Sequence, residues 1–201
     1  DTLPDLGMKM KTGLTVDFRE KASLRNTKVD GAVPLFFAQH IKDGHVCFPI
    51  GKDGEYLLPP RKGLVQPNSN YLFVRRFTAK EEKRRLQCGI YLAEQFPQYE
   101  IISTQNKINF IDNTEHTLSK DTVYGLYVLF NSTLYDIYYR VLNGSTQVNA
   151  TEINHMPVPA ISVIEELGRA LLRKSDITAK TCDQILEGFL HGKNQRSANL
   201  S

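Results

Sequence analysis

Five histidines (His40, His45, His116, His155 and His191) and three cysteines (Cys47, Cys88 and Cys182) carry most of the metal-binding and nucleophilic potential of this chain. No two cysteines form a Cys-x-x-Cys pair, and no Cys/His combination has the spacing of a zinc ligand set, so no metal site is expected. No histidine stands at a telling distance from a Ser or Cys that it could activate. The Gly-x-Ser-x-Gly elbow, the phosphate-binding loop ending in Gly-Lys-Ser/Thr, His-Glu-x-x-His and Gly-x-Gly-x-x-Gly are all missing. Pro4–Asp5 with Glu81–Lys83 could be forced into a nuclease carboxylate set, but the second part falls in an expected helix rather than at a strand end. On its own residues, this chain binds something and does not transform it.

Charge says what kind of thing. Between residues 61 and 85 eight basic side chains (Arg61, Lys62, Arg75, Arg76, Lys80, Lys83, Arg84 and Arg85) face only Glu81 and Glu82. Between residues 112 and 166 the balance reverses, with Lys120 and Arg140 against seven acids. One basic half and one acidic half suggest a polyanion on one side, although a solvated basic helix would give the same count. No apolar run approaches the length of a membrane span, so no membrane partner is expected. The start, "DTLPDLGMKMKTG", has neither an initiator Met nor a signal-like apolar core, and residues 1–12 read as a linker or a cut edge. Unpaired thiols suit a reducing cytosol. Three Asn-x-Ser/Thr triplets, beginning at Asn131, Asn143 and Asn149, are better explained by local capping than by glycans.

The elements that must position these groups form an α+β pattern. Strands are expected at 13–18, 33–41, 45–50 and 70–77, with 33–41 and 45–50 joined as a hairpin through an Asp-Gly turn. The spacing is too short for helical crossovers, so a largely antiparallel twisted sheet is expected. In 70–77, Tyr71, Phe73, Arg75 and Phe77 share one face and Leu72, Val74 and Arg76 the other. One inserted helix is expected from Thr78 to Pro97, with a basic ridge at its start. A second hairpin, 99–104 with 107–112, would turn at Gln105 and Asn106. A long helix then runs from Lys120 to Leu142 and stops at Gly144, and two more occupy 160–175 and 178–192, the last closed by Gly192. Residues 193–201 read as a frayed tail. These last two helices could pass for a helix-turn-helix, but Glu165, Glu166, Asp176, Asp183 and Glu187 make a poor DNA face.

Several blocks, in order, resemble one family: "KTGLTVDFREKASLR" (11–25), "VPLFFAQHI" (33–41), "NYLFVRRFTAKEEKRRLQCGIYL" (70–92), "NKINFI" (106–111) and "LFNSTLYDIYYRVLNGSTQVNATEINHMPVP" (129–159). The family is the C-terminal target-recognition region of adenine-specific (N6) DNA methyltransferases from type II restriction–modification systems. The segment 142–167 is also similar to the end of a recognition domain in type I specificity subunits. The family's Asn-Pro-Pro-aromatic motif and its glycine-containing strand–turn for S-adenosylmethionine are both absent. The resemblance therefore implies a recognition half (13–159) followed by a helical pair (160–192), inactive alone. S-adenosylmethionine would belong only to the parent enzyme, a site-specific DNA-methyltransferase in a bacterial cytoplasm at the nucleoid. The implied partners are double-stranded DNA and the missing N-terminal catalytic domain. The alternative is the recognition domain of a noncatalytic type I-like specificity subunit that docks on separate methylase and nuclease chains.

Under that resemblance, phosphate contacts set register and base-edge contacts read sequence. The backbone-contact candidates are Arg75, Arg76, Lys80, Lys83, Arg84, Arg85, Ser145 and Thr146. The base-readout candidates are Asn68, Asn70, Gln105, Asn106, Lys107, Gln147 and Asn149, because amides and cationic forks at turns match base edges. All of these are equally at home as turn formers or solvated charges.

Overall fold

A strand with two apolar faces needs a layer on each side, and the run from Tyr71 shows where those layers lie. In the computed structural model, which describes residues 1–198, the chain forms two sheets and a helical layer. The strands are β1 (Met8–Thr12), β2 (Leu24–Arg25), β3 (Val33–Phe36), β4 (Ile41–Lys42), β5 (His45–Val46), β6 (Tyr56–Leu57), β7 (Gln66–Pro67), β8 (Tyr71–Arg75), β9 (Cys88–Tyr91), β10 (Ile101–Thr104) and β11 (Ile108–Asn113). The helices are α1 (Lys120–Phe130), α2 (Thr133–Leu142), α3 (Ala150–His155), α4 (Ile161–Leu172) and α5 (Ala179–Ala198).

The larger sheet has the order β1-β11-β8-β9-β5-β4 and the smaller β2-β6-β3-β10-β7. Pairing is antiparallel except for β5 with β9 and β3 with β10. Alternation in β8 works as the sequence predicts. Leu72 and Val74 join a core with Met8, Met10, Cys88, Ile90 and the helices, whereas Tyr71 and Phe73 join an aromatic core with Phe36, Tyr91, Phe96 and Phe110. The larger sheet is thus the middle layer, with helices on one face and the smaller sheet on the other.

The helical layer is held by a close crossing. A Cβ on Gly125 of α1 would stand 1.8 Å from the carbonyl oxygen of Ile164, and one on Gly168 of α4 would stand 1.8 Å from that of Asp121. Only glycine lets these two backbones meet.

Several expectations are corrected. The first strand is β1, at residues 8–12, and Asp17–Arg19 form a 3-10 turn instead of a strand end. The hairpin turns at Asp43–Gly44 as expected, but only β4 and β5 pair across it, while β3 belongs to the other sheet. The inserted helix does not form. Residues 78–87 are a loop and β9 follows, because Cys88 and Ile90 face the helices while Tyr91 faces the aromatic core, a period of two. β10 and β11 exist but do not pair with each other; the chain changes sheets at Gln105–Lys107. The long aromatic helix is two, because buried Ser132 caps α2 by accepting from the Tyr135 N–H. α2 also ends at Asn143, in an extended conformation, rather than at Gly144, and α5 runs through Gly192 to Ala198. Of the expected frayed tail, residues 199–201 lie outside the described residues.

Candidate nucleic-acid interface

The end of β8 is where the basic run meets the polar loop that follows α2. Beyond Arg75 the chain stays extended. The Arg76 N–H donates to the Lys107 carbonyl at 2.9 Å, its own carbonyl accepts from the Val148 N–H at 2.6 Å, and the Thr78 N–H donates to the Thr146 carbonyl at 3.1 Å. Phe77 and Gln147 form an antiparallel bridge. The polar loop 144–148 therefore lies along the end of the central strand as a short added edge. Its polarity has a local cause: an edge needs backbone partners on one side and solvent on the other.

Side chains converge there. The Arg76 guanidinium donates through Nη1 to the Asn106 carbonyl at 3.0 Å. With its amide turned so that Oε1 faces the guanidinium, Gln147 accepts from Arg76 Nη2 at 2.6 Å and Nε at 3.1 Å. Phe77 is 48% exposed, with the guanidinium carbon of Arg76 5.3 Å from its ring centroid. Lys107, Ser145 and Thr146 are exposed beside them. The loop is braced from below. Tyr139 Oη donates to the Gln147 carbonyl at 3.4 Å and accepts from the Asn149 N–H at 3.3 Å. Asn143 Oδ1 accepts from the Ser145 N–H at 2.7 Å.

Other sequence candidates are placed elsewhere. Arg75 faces the opposite side from Arg76, as strand alternation requires, and donates to the Ile41 carbonyl at 3.2 Å. It lines a separate cleft of about 840 Å³ with Lys42, His45, Arg84 and Asp176. Arg84 donates to Thr133 Oγ1 at 2.7 Å and stands 3.8 Å from the Asp183 carboxylate. Arg85 is buried. Its Nη2 donates to the Ser145 carbonyl at 2.6 Å, its Nε to Thr78 Oγ1 at 3.1 Å, and its guanidinium lies over Tyr139. Arg85 thus supports the polar loop from inside and is not surface charge. Lys80 and Lys83 are exposed on the loop 79–84, which Arg140 grips by donating to the carbonyls of Lys80 and Glu82, both at 2.7 Å.

Asn68 and Asn70 precede β8 at the other end. Asn68 Nδ2 donates to the carbonyls of Phe96 and Tyr99, and its Oδ1 accepts from Tyr91 Oη at 2.6 Å. Asn70 donates to the Leu118 carbonyl and accepts from the Ala93 N–H. Gln105 is 2% exposed, bonded to Asp17 Oδ1 and to the Lys107 N–H. Asn149 caps α3 by accepting from the Thr151 N–H, the capping role expected for it. The structure thus brings Arg76, Asn106, Lys107, Gln147, Ser145 and Thr146 together, and ties Asn68, Asn70, Gln105 and Arg85 into the scaffold. Sequence reasoning passed over Phe77 as one more strand aromatic; the signal was its place just past two arginines, where a core strand would have ended.

The catalytic residue types remain dispersed. His40 is fully buried, its Nδ1 accepting from the Phe37 N–H and its Nε2 bonded to Glu55 at 2.9 Å; burial holds its pKa below the usual imidazole value. Burial likewise pushes the Cys182 thiol up to about 11 and Cys88 further, which disfavours the thiolate. Among the described residues no three His, Cys, Asp or Glu side chains gather into a metal-binding group, and no helix is long and apolar enough to cross a membrane.

Comparison with known proteins gives this edge a context. No family model matches the chain. It is 35% identical over 193 residues to the type II methyltransferase M.BsuBI of Bacillus subtilis, covering 94% of this chain and 38% of that protein. It is 36% identical over 170 residues to the type II methyltransferase M.PstI of Providencia stuartii, covering 83% of this chain and 33% of that protein. Its likeness is to methyltransferases. The chain spans only about a third of the length of these relatives and aligns with their C-terminal part.

Proposed function

We propose that this chain is the sequence-specific DNA-recognition part of a site-specific adenine-N6 DNA methyltransferase from a restriction–modification system, inactive alone. S-adenosylmethionine and the chemistry would belong to a catalytic part outside this sequence. The observation that carries the reading is the joined edge at the end of β8, where Arg76, Asn106, Lys107, Gln147 and Thr146 meet on one rigid backbone seam. A guanidinium and an amide held side by side on such a seam have the donors and acceptors that base edges and phosphates require. Likeness to two methyltransferases, over nearly the whole of this chain but a third of theirs, supports the division of labour.

The edge is smaller than the full basic run. Arg76 and Lys107 are its phosphate candidates, with Lys80 and Lys83 on the separate loop 79–84 as further ones, and Gln147 and Asn106 are candidates to read bases. Arg85 acts from behind, and Arg84 belongs to the separate cleft with Arg75. Binding to duplex DNA over a salt series tests the reading. Affinity should fall as salt rises, with a slope of about −0.9 per phosphate neutralised. Replacing Lys80 and Lys83 together by Ala should make that slope shallower without changing the melting temperature. A wild-type chain with no salt-dependent affinity for duplex DNA would rule the proposal out.

A further inference from the structure

Phe77 is an unusual residue to leave in water. It shares the face of β8 that carries Tyr71 and Phe73 into the aromatic core, but it lies past the point where the smaller sheet covers that face. Its neighbours in the added edge, Thr78 and Val148, are buried to 3% and 0% exposure. The backbone on both sides is fixed by the bonds of Arg76 to Lys107 and Val148 and of Thr78 to Thr146. Phe77 cannot fold back onto the core, so its ring stands out on a rigid base with the Arg76 guanidinium over it. The arrangement is repeated nearby. Phe18 is 63% exposed with the Arg19 guanidinium 5.6 Å from its centroid, and the preceding Asp17 is tied to Gln105 of the same turn that carries Asn106 and Lys107.

An aromatic face backed by a guanidinium is the chemistry that stacks on nucleobases in opened or single-stranded nucleic acid. A base can reach such a ring only after leaving its own stack, and an enzyme that modifies a base inside a duplex must open that stack. We propose that Phe77, supported by Arg76, is a stacking platform for an unpaired nucleobase at the protein–DNA interface. This rests on the DNA-recognition reading above and adds to it the state of the DNA that is bound. The backbone under the ring is already fixed by hydrogen bonds on both sides, so little backbone entropy is lost when a base stacks on it.

The chain has no tryptophan, so Phe77→Trp introduces a single reporter. Two short duplexes of equal length serve as probes, one fully paired and one with a central adenine opposite an abasic site. The duplex with the unpaired adenine should bind more tightly and quench the F77W emission strongly, while the paired duplex quenches it weakly. Phe77→Ala should weaken binding of the unpaired-adenine duplex by roughly five- to a hundredfold, with a smaller loss on the paired one and an unchanged melting temperature. Phe77→Leu keeps an apolar side chain without a π face and should lose most of the same preference. Equal losses on both duplexes, or full affinity in Phe77→Leu, would overturn the stacking role. If the wild-type chain binds DNA normally but F77W is not quenched, only this inference fails; if it binds neither duplex, the recognition reading fails first.

Discussion

The two ends of β8 carry similar polar side chains and use them in opposite ways. At its start, the side-chain amides of Asn68 and Asn70 are spent on neighbouring segments except for one hydrogen of Asn70, locking 91–99 and 118 to the strand. At its far end, about 17 Å away for a five-residue strand, Arg76 and Gln147 bond to each other and to one carbonyl and still reach the surface. Side-chain type sets what a residue could bind; the segments packed around it decide whether that capacity is already used.

The guanidinium groups show the same contrast and give the largest expected effect. Arg85→Ala removes the buried donor to Ser145 and Thr78 and leaves a void against Tyr139. It should destabilise the fold by about 4 kcal/mol in urea unfolding. Arg76→Ala, at the edge, should cost under about 1 kcal/mol while weakening DNA binding. Equal stability losses would mean that the two arginines are not divided between scaffold and surface.

Amide-to-carboxylate substitution probes both ends with one chemical change. Asn68→Asp loses the two bonds donated to Phe96 and Tyr99 and sets a charge against their carbonyl oxygens. About 3 kcal/mol should be lost, measured by the same unfolding experiment.

These contrasts explain what could be read in advance. The two faces of β8, the C-terminal helices and the basic run are local patterns, and periodicity or composition displays them. The loop at 78–87 is not local. Arg140 takes the carbonyls that a helix would have bonded internally, and Asp136 takes the Arg85 N–H, fifty-one residues away in the chain. The same distant partners hide Arg85 while leaving Lys80 and Lys83 exposed, so the basic run was legible as a charge cluster, but not which of its members reach the surface. Gln105–Lys107 looked like a hairpin turn because both flanking strands are real; only pairing with β3 and β8 reveals the change of sheet.

Acid should loosen a third buried polar set, which links the two sheets' loops. His40 and Glu55 are both nearly fully buried, and both titrate below their ordinary values of 6.5 and 4.5. Burial lowers His40; for Glu55 burial acts upward but is outweighed by bonds from His40, Ile50 and Gly51. In each case the unfolded chain binds its proton first as pH falls. Stability should therefore decline as pH drops below about 6.5 and again through the carboxylate range. A melting temperature that rises between pH 7 and pH 5 would contradict this.

The smallest stability effect, and the sharpest comparison with Asn68→Asp, belongs to Gln147→Glu. The side chain is half-buried and faces a guanidinium, so a carboxylate there gains a partly exposed ion pair and loses no buried bond. The unfolding free energy should move by less than about 0.5 kcal/mol. DNA affinity should nevertheless fall several-fold, because the new charge neutralises Arg76 and repels phosphate. The salt slope should flatten by about one phosphate contact. Gln147→Met separates the two contributions: it leaves the guanidinium free, so the slope should stay while any sequence preference read by the amide weakens. If Gln147→Glu leaves both affinity and slope intact, the DNA does not pass over this end of β8, and the open end of the strand is simply a surface.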